Sequence, residues 1–152
     1  MKNSIISGAL VALLTGLAIG TQATISSRVG NIIGEIRTGM LSNFLGGIVA
    51  GILVIAVLLR GAPQTVKVPW TIIAVLMLSG TLGIFIITGI SFSLQRAGIA
   101  AGLATVILGQ LLFSFLVDSF GLGGVEPIPV SLQRLSGIIV TALGVYLLLP
   151  KG

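Results

Sequence analysis

The chain has 152 residues, of which 55% are hydrophobic and only 7% charged, and its mean hydropathy is +1.22. Too few charges remain to clothe a water-soluble domain, so the expected fold class is an all-α membrane protein. With no Cys, no His and Glu35, Asp118 and Glu126 as the whole carboxylate inventory, the chemistry of thiols, imidazoles and most metals is missing, and neither an enzyme nor a metal or cofactor protein is expected. The net charge of +5 comes from eight scattered basic residues without interleaved aromatics. That pattern points to lipid headgroups beside the loops and not to nucleic acid.

A bilayer crossing takes about 20 mostly apolar residues. Five segments qualify: Ser4 to Ile25, Thr38 to Leu59, Thr71 to Leu94, Gly98 to Val117, and a shorter last one that runs from Ser131 to Leu149. The first has a single early Lys2 and small residues near Thr21-Gln22-Ala23, as a cleaved signal would, but its apolar run is too long for a signal core. After it, Val29, Ile32, Ile33 and Ile36 share one face of a turn whose other face carries Arg28, Asn31 and Glu35. This predicts a short amphipathic helix, either lying in the interface or prolonging the first span.

Arg60 to Pro69 reads as a polar turn holding Gly61, Pro63 and Lys67, and Pro69-Trp70 opens the third span at the interface. The longest connection is Asp118 to Gln133, irregular and rich in Gly and Pro. A single integral membrane domain without linkers follows.

The chain has 22 glycines, and three pairs of them are spaced by four: Gly16 and Gly20, Gly47 and Gly51, Gly98 and Gly102. Each pair clears one helix face for close packing in lipid, against a neighbour in the same chain or in a second copy. With five crossings the termini fall on opposite sides. One side then receives Lys2, Arg60, Lys67 and Arg134, the other Arg28, Arg37, Arg96 and Lys151. Orientation follows the Lys/Arg difference between sides, and here the difference vanishes. Either the chain inserts both ways and pairs antiparallel, or a few residues or a partner chain set one orientation.

Polar groups within spans face a cavity or a partner helix. The amides are Gln22 at the end of the first span, Asn43 early in the second and Gln110 in the middle of the fourth. They are the candidate substrate-binding residues, with Gln110 equally readable as a bond between helices. The Ser and Thr hydroxyls are expected to bond back to their own helices. Asp118 is a candidate proton or cation coupling group, against the alternative that it pairs with Arg134 or caps the following loop. Glu35 reads as a partner of Arg28 or Arg37.

The order of several short stretches is familiar. They are Gly20-Thr21-Gln22-Ala23, Ser42-Asn43-Phe44-Leu45-Gly46, Gly80-Thr81-Leu82-Gly83, Arg96-Ala97-Gly98, Gly109-Gln110-Leu111-Leu112, Asp118-Ser119-Phe120-Gly121 and Leu132-Gln133-Arg134-Leu135-Ser136-Gly137, with Gly144 following. In these the chain resembles the YdcZ-type, five-span members of the drug/metabolite transporter superfamily over nearly its whole length. It departs from them at Ser26, where an Asn is usual, and at Ser119, where a His is. The resemblance implies one half of an inverted-repeat transporter fold in the inner membrane, completed by a homodimer or by a heterodimer with a related chain, and moving a small molecule. It also separates the chain from four-span multidrug transporters, whose first helix carries a carboxylate. Two other classes fit the composition: a small dual-topology ion channel, and a non-transporting membrane partner subunit.

Overall fold

The computed structural model describes residues 2–60, 68–122 and 126–150, with the side chains of 2–5 left aside. Gly61, Pro63 and Lys67 of the expected turn, Gly123 and Gly124, and Lys151 lie outside the described residues. The elements are α1 (Lys2–Ile33), α2 (Glu35–Leu59), α3 (Trp70–Ala97), α4 (Ile99–Phe120) and α5 (Leu132–Leu148), with no strand among the described residues. Four helices are long and apolar enough to cross a membrane, and α5 is shorter, with 17 residues. At about 1.5 Å per residue it rises roughly 26 Å, a little under the thickness of a hydrocarbon core. The protein is an all-α membrane protein.

The amphipathic turn around Val29 is not a separate helix: most of it is the end of α1, which passes Ile25 without a break and reaches Ile33, while Glu35 and Ile36 fall in α2. Ser26 and Ser27 look like the end of an apolar span, yet both are buried. Single glycines then make two of the helix breaks. Gly34 (φ 88°, ψ 151°) separates α1 from α2, and Gly98 (φ 82°, ψ 163°) separates α3 from α4. Both lie in a region open essentially to glycine alone. Hydrogen bonding continues on either side of each break. The Gly34 N–H donates to the Gly30 carbonyl at 2.9 Å, and the Gly34 carbonyl accepts from the Thr38 N–H at 3.1 Å. At Gly98 the corresponding bonds run from its N–H to Leu94 (3.1 Å) and from the Gly102 N–H to its carbonyl (2.9 Å). Gly98 therefore works as a hinge.

Contacts gather the chain into two compact units, Met1–Phe92 and Ser93–Gly152, and the boundary falls inside the unbroken α3. In the first unit the buried residues are small or hydroxyl-bearing: Ala23, Ser26, Ser27, Gly30, Thr38, Gly39 and Ser91, with Ile90 the large exception. Ser91, wholly buried, donates from α3 to the Ser26 carbonyl of α1 at 3.0 Å. Thr38 turns its hydroxyl to the Gly34 carbonyl at 2.9 Å. Lipid is as apolar as Leu, so little is gained by burying large apolar side chains, and small residues that let backbones approach take their place. Outside that contact zone the helices are bare, and every residue from Ile6 to Ile19 and from Phe44 to Leu59 is exposed in the single chain.

The close approaches occur at Gly39 and Gly83 in the first unit. A Cβ on Gly39 would lie 2.7 Å from the Ile84 carbonyl oxygen, and one on Gly83 would lie 2.7 Å from Asn43 Oδ1. In the second unit a Cβ on Gly102 would meet Leu94 Cδ1 at 2.9 Å and Ser93 Oγ at 3.2 Å. Among the other glycines expected to pack, Gly20 is half-buried, whereas Gly16, Gly47 and Gly51 have nothing within 4 Å of where a Cβ would stand.

Candidate functional site

The second unit holds the most developed polar constellation. Ser131 caps α5, its hydroxyl accepting from the Arg134 N–H at 3.3 Å, so Arg134 is placed in the first turn of that helix. Its guanidinium reaches across to α4. Nη2 donates to Asp118 Oδ2, Nη1 donates to the Ile128 carbonyl at 3.3 Å, and the guanidinium carbon lies 5.2 Å from the centre of the Phe115 ring. The Asp118 carbonyl accepts from the Ile128 N–H at 2.9 Å, and Gly121 in the left-handed conformation ends α4. The α4–α5 connection is thus tied back to Asp118 by both main chain and side chain. The pairing of Asp118 with Arg134 is formed.

This clasp forms one end of a cleft of about 340 Å³ between α4 and α5, lined by Leu111, Ser114, Phe115, Asp118, Arg134, Gly137, Ile138 and Thr141. Asp118 and Arg134 remain partly exposed, at 36% and 27% of their side chains.

The amides expected to bind substrate are placed separately. Gln22 on α1 and Gln110 on α4 are exposed, and neither makes a side-chain hydrogen bond among the described residues. Asn43 is half-buried where α2 meets α3, donating from Nδ2 to the Gly39 carbonyl at 2.9 Å with Oδ1 against Gly83. Gln22 and Asn43 belong to the first unit, Gln110 and Asp118 to the second. The hydroxyls largely do as expected of helical Ser and Thr. Thr15, Thr21, Thr24, Thr81 and Thr105 each donate to the carbonyl four residues earlier at 2.8–2.9 Å. Ser91 departs from this by bonding across helices. Phe115 and Gly39 carry no expectation from the sequence, and Gly83 enters there only within the stretch Gly80-Thr81-Leu82-Gly83. For Gly39 a signal exists in its spacing of four from Asn43, which places both on one face of α2.

Apolar helices of membrane-spanning length, polar side chains on their exposed faces and a partly exposed ion pair at a helix end define a polytopic membrane protein. The chain matches the family model described as "Putative inner membrane exporter, YdcZ" over residues 7–147, and it belongs to that family. It is a membrane transporter of the inner membrane. No curated protein and no solved structure matches it.

Proposed function

We propose that the chain exports a small molecule as an antiparallel pair, of two copies or of one copy and a related chain. The two halves enclose a cavity near the membrane midplane lined by Gln22, Asn43 and Gln110, and Asp118 serves as the proton or cation group. Alternating access then rocks one subunit against the other around the cavity.

One observation carries this reading. Gln110 stands in the middle of an apolar helix of spanning length, exposed and without a hydrogen-bond partner among the described residues. A carboxamide facing hydrocarbon costs on the order of several kcal/mol, a demand that a second chain or a watered cavity removes. The equal division of basic residues between the two sides supports the antiparallel form.

The decisive experiment is orientation. Gly152→Cys introduces a single thiol into a chain without cysteine and leaves its charge unchanged. Labelling intact cells with an impermeant maleimide, then again after permeabilisation, is expected to find about half the protein protected. All-or-none labelling discards the antiparallel homodimer. In parallel, Gln110→Leu should abolish flux while the protein still inserts and purifies normally, and wild-type flux in that variant removes Gln110 from the mechanism.

A further inference from the structure

We infer that the α4–α5 cleft is itself a binding site, within one chain, for an organic ammonium: an N–H-bearing cationic head on an apolar body. The inference requires neither pairing of chains nor the midplane cavity.

Several hydrogen-bonding groups of the cleft are already engaged. Arg134 is engaged at Nη1 by the Ile128 carbonyl, at Nη2 by Asp118, and on its face by Phe115. Asp118 uses Oδ2 for that pair, and Oδ1 has no partner among the described residues. Thr141 donates its proton to the Gly137 carbonyl at 2.9 Å, so its oxygen has only lone pairs left to offer. Ser114 is the odd hydroxyl of α4. Thr105 and Ser119 bond back along the helix at 2.8 and 2.7 Å, whereas Ser114 is exposed and has no bond among the described residues. The cleft therefore presents three acceptors, Asp118 Oδ1, Ser114 Oγ and Thr141 Oγ1, and the charge of Arg134 is already paired with Asp118, although two of its five N–H donors are all that these bonds use. Leu111 and Ile138 supply apolar wall.

Acceptors beside a cation whose charge is already paired favour a donor-rich cation. An anion drawn towards Arg134 meets the Asp118 carboxylate already in place. A cation reaching Oδ1 meets the nearer charge of a carboxylate, which two cations can share through its two oxygens. A volume of about 340 Å³ lies at the small end of ligand pockets, suited to one ring and a short chain. Gln110, Ser114 and Asp118 follow each other at intervals of four on α4, so the acceptors continue as a polar row towards the middle of the helix.

The test uses the full chain in nanodiscs of zwitterionic lipid, with empty nanodiscs as blank, and titrates 2-phenylethylammonium calorimetrically against 2-phenylethanol and 3-phenylpropionate. The amine is expected to bind at least about tenfold more tightly than the alcohol, with the acid weakest, because only the amine forms charge-assisted bonds to these acceptors. Asp118→Asn should erase the preference for amine over alcohol. Ser114→Ala, outside the clasp and harmless to the fold, should weaken the amine about threefold while leaving the alcohol nearly unchanged. Should Asp118→Asn fail to fold, Ser114→Ala together with Thr141→Val decides. No amine binding, equal affinity for amine and alcohol, tighter binding of the acid, or a preference untouched by these variants overturns the inference. Single-orientation insertion, which discards the antiparallel homodimer, and wild-type flux in Gln110→Leu, which removes Gln110 from the mechanism, both leave it standing.

Discussion

A methyl group at Gly39 would lie 2.7 Å from the Ile84 carbonyl oxygen, a backbone atom of a neighbouring helix that cannot swing aside. At Gly83 the same group would meet Asn43 Oδ1 at 2.7 Å, the far end of a side chain that can rotate at the cost of its bond to the Gly39 carbonyl. Gly39→Ala is therefore expected to destabilise by about 2–3 kcal/mol and Gly83→Ala by about 1 kcal/mol, the range found for overpacked sites. Reversible unfolding in mixed micelles, followed by circular dichroism, measures both, and the order of the two costs is the test. Gly47→Ala is the control, since nothing stands within 4 Å of its missing Cβ. Alone, it should gain up to about 1 kcal/mol of helix propensity. A loss at Gly47 in the bilayer, with a gain in monomeric micelles, would locate a contact with another molecule. These distinctions are not visible in composition. Asn43 shows in the sequence as an amide inside a span, but its pairing with Gly83 depends on how α2 and α3 are set against each other, which spacing along one helix does not reveal.

At the scale of elements, the apolar runs find the helices, and the structure moves their ends. α1 continues past Ile25 because Ser26 and Ser27, polar enough to close a span on paper, are buried, and Ser26 offers its carbonyl to Ser91. In sequence Gly34 merely falls inside the stretch read as an amphipathic turn, and Gly98 is read as a packing glycine. Both adopt φ above +80°, with hydrogen bonds four residues apart carried through on each side. An L-alanine in that region is strained by about 1–3 kcal/mol. Gly34→Ala and Gly98→Ala should each lose about that much stability in the same micelle assay. Gly109→Ala, inside α4 with no positive φ and no neighbour within 4 Å, should lose none. Equal behaviour of all three variants would mean that the helix breaks do not depend on glycine. The candidate site divides in the same way. Asp118 and Arg134 stand out in sequence as opposite charges at two helix ends, sixteen positions apart. The cleft they close, and the unspent hydroxyl of Ser114 within it, depend on the packing of α4 on α5 and cannot be read from the chain.

For the molecule as a whole, the feature that matters most is a balance carried by single residues. Lys2, Arg60, Lys67 and Arg134 stand against Arg28, Arg37, Arg96 and Lys151, and each is one part in four of its side. Where the two sides are equal, the bias that normally retains the more basic side in the cytoplasm has nothing to act on, and the loss of one charge becomes the whole difference. Arg60 at the end of α2 and Arg37 in its first turn are both exposed, so either can be neutralised without disturbing packing. Arg60→Gln leaves three basic residues on the side of the N-terminus and four on the side of the C-terminus. The C-terminal side should then stay in the cytoplasm, and a cysteine at position 152 should become mostly protected from an impermeant maleimide. Arg37→Gln tips the count the other way, and the same cysteine should become mostly accessible. Opposite shifts from one intermediate wild-type value are what a balanced chain must give, because the two variants differ only in the side from which a charge is taken. A chain oriented by a partner or by one dominant residue would show the same labelling in wild type and in at least one of the two variants. If both variants label as the wild type does, the even distribution of charge has no part in how this protein enters the membrane, and the antiparallel pair loses its physical basis.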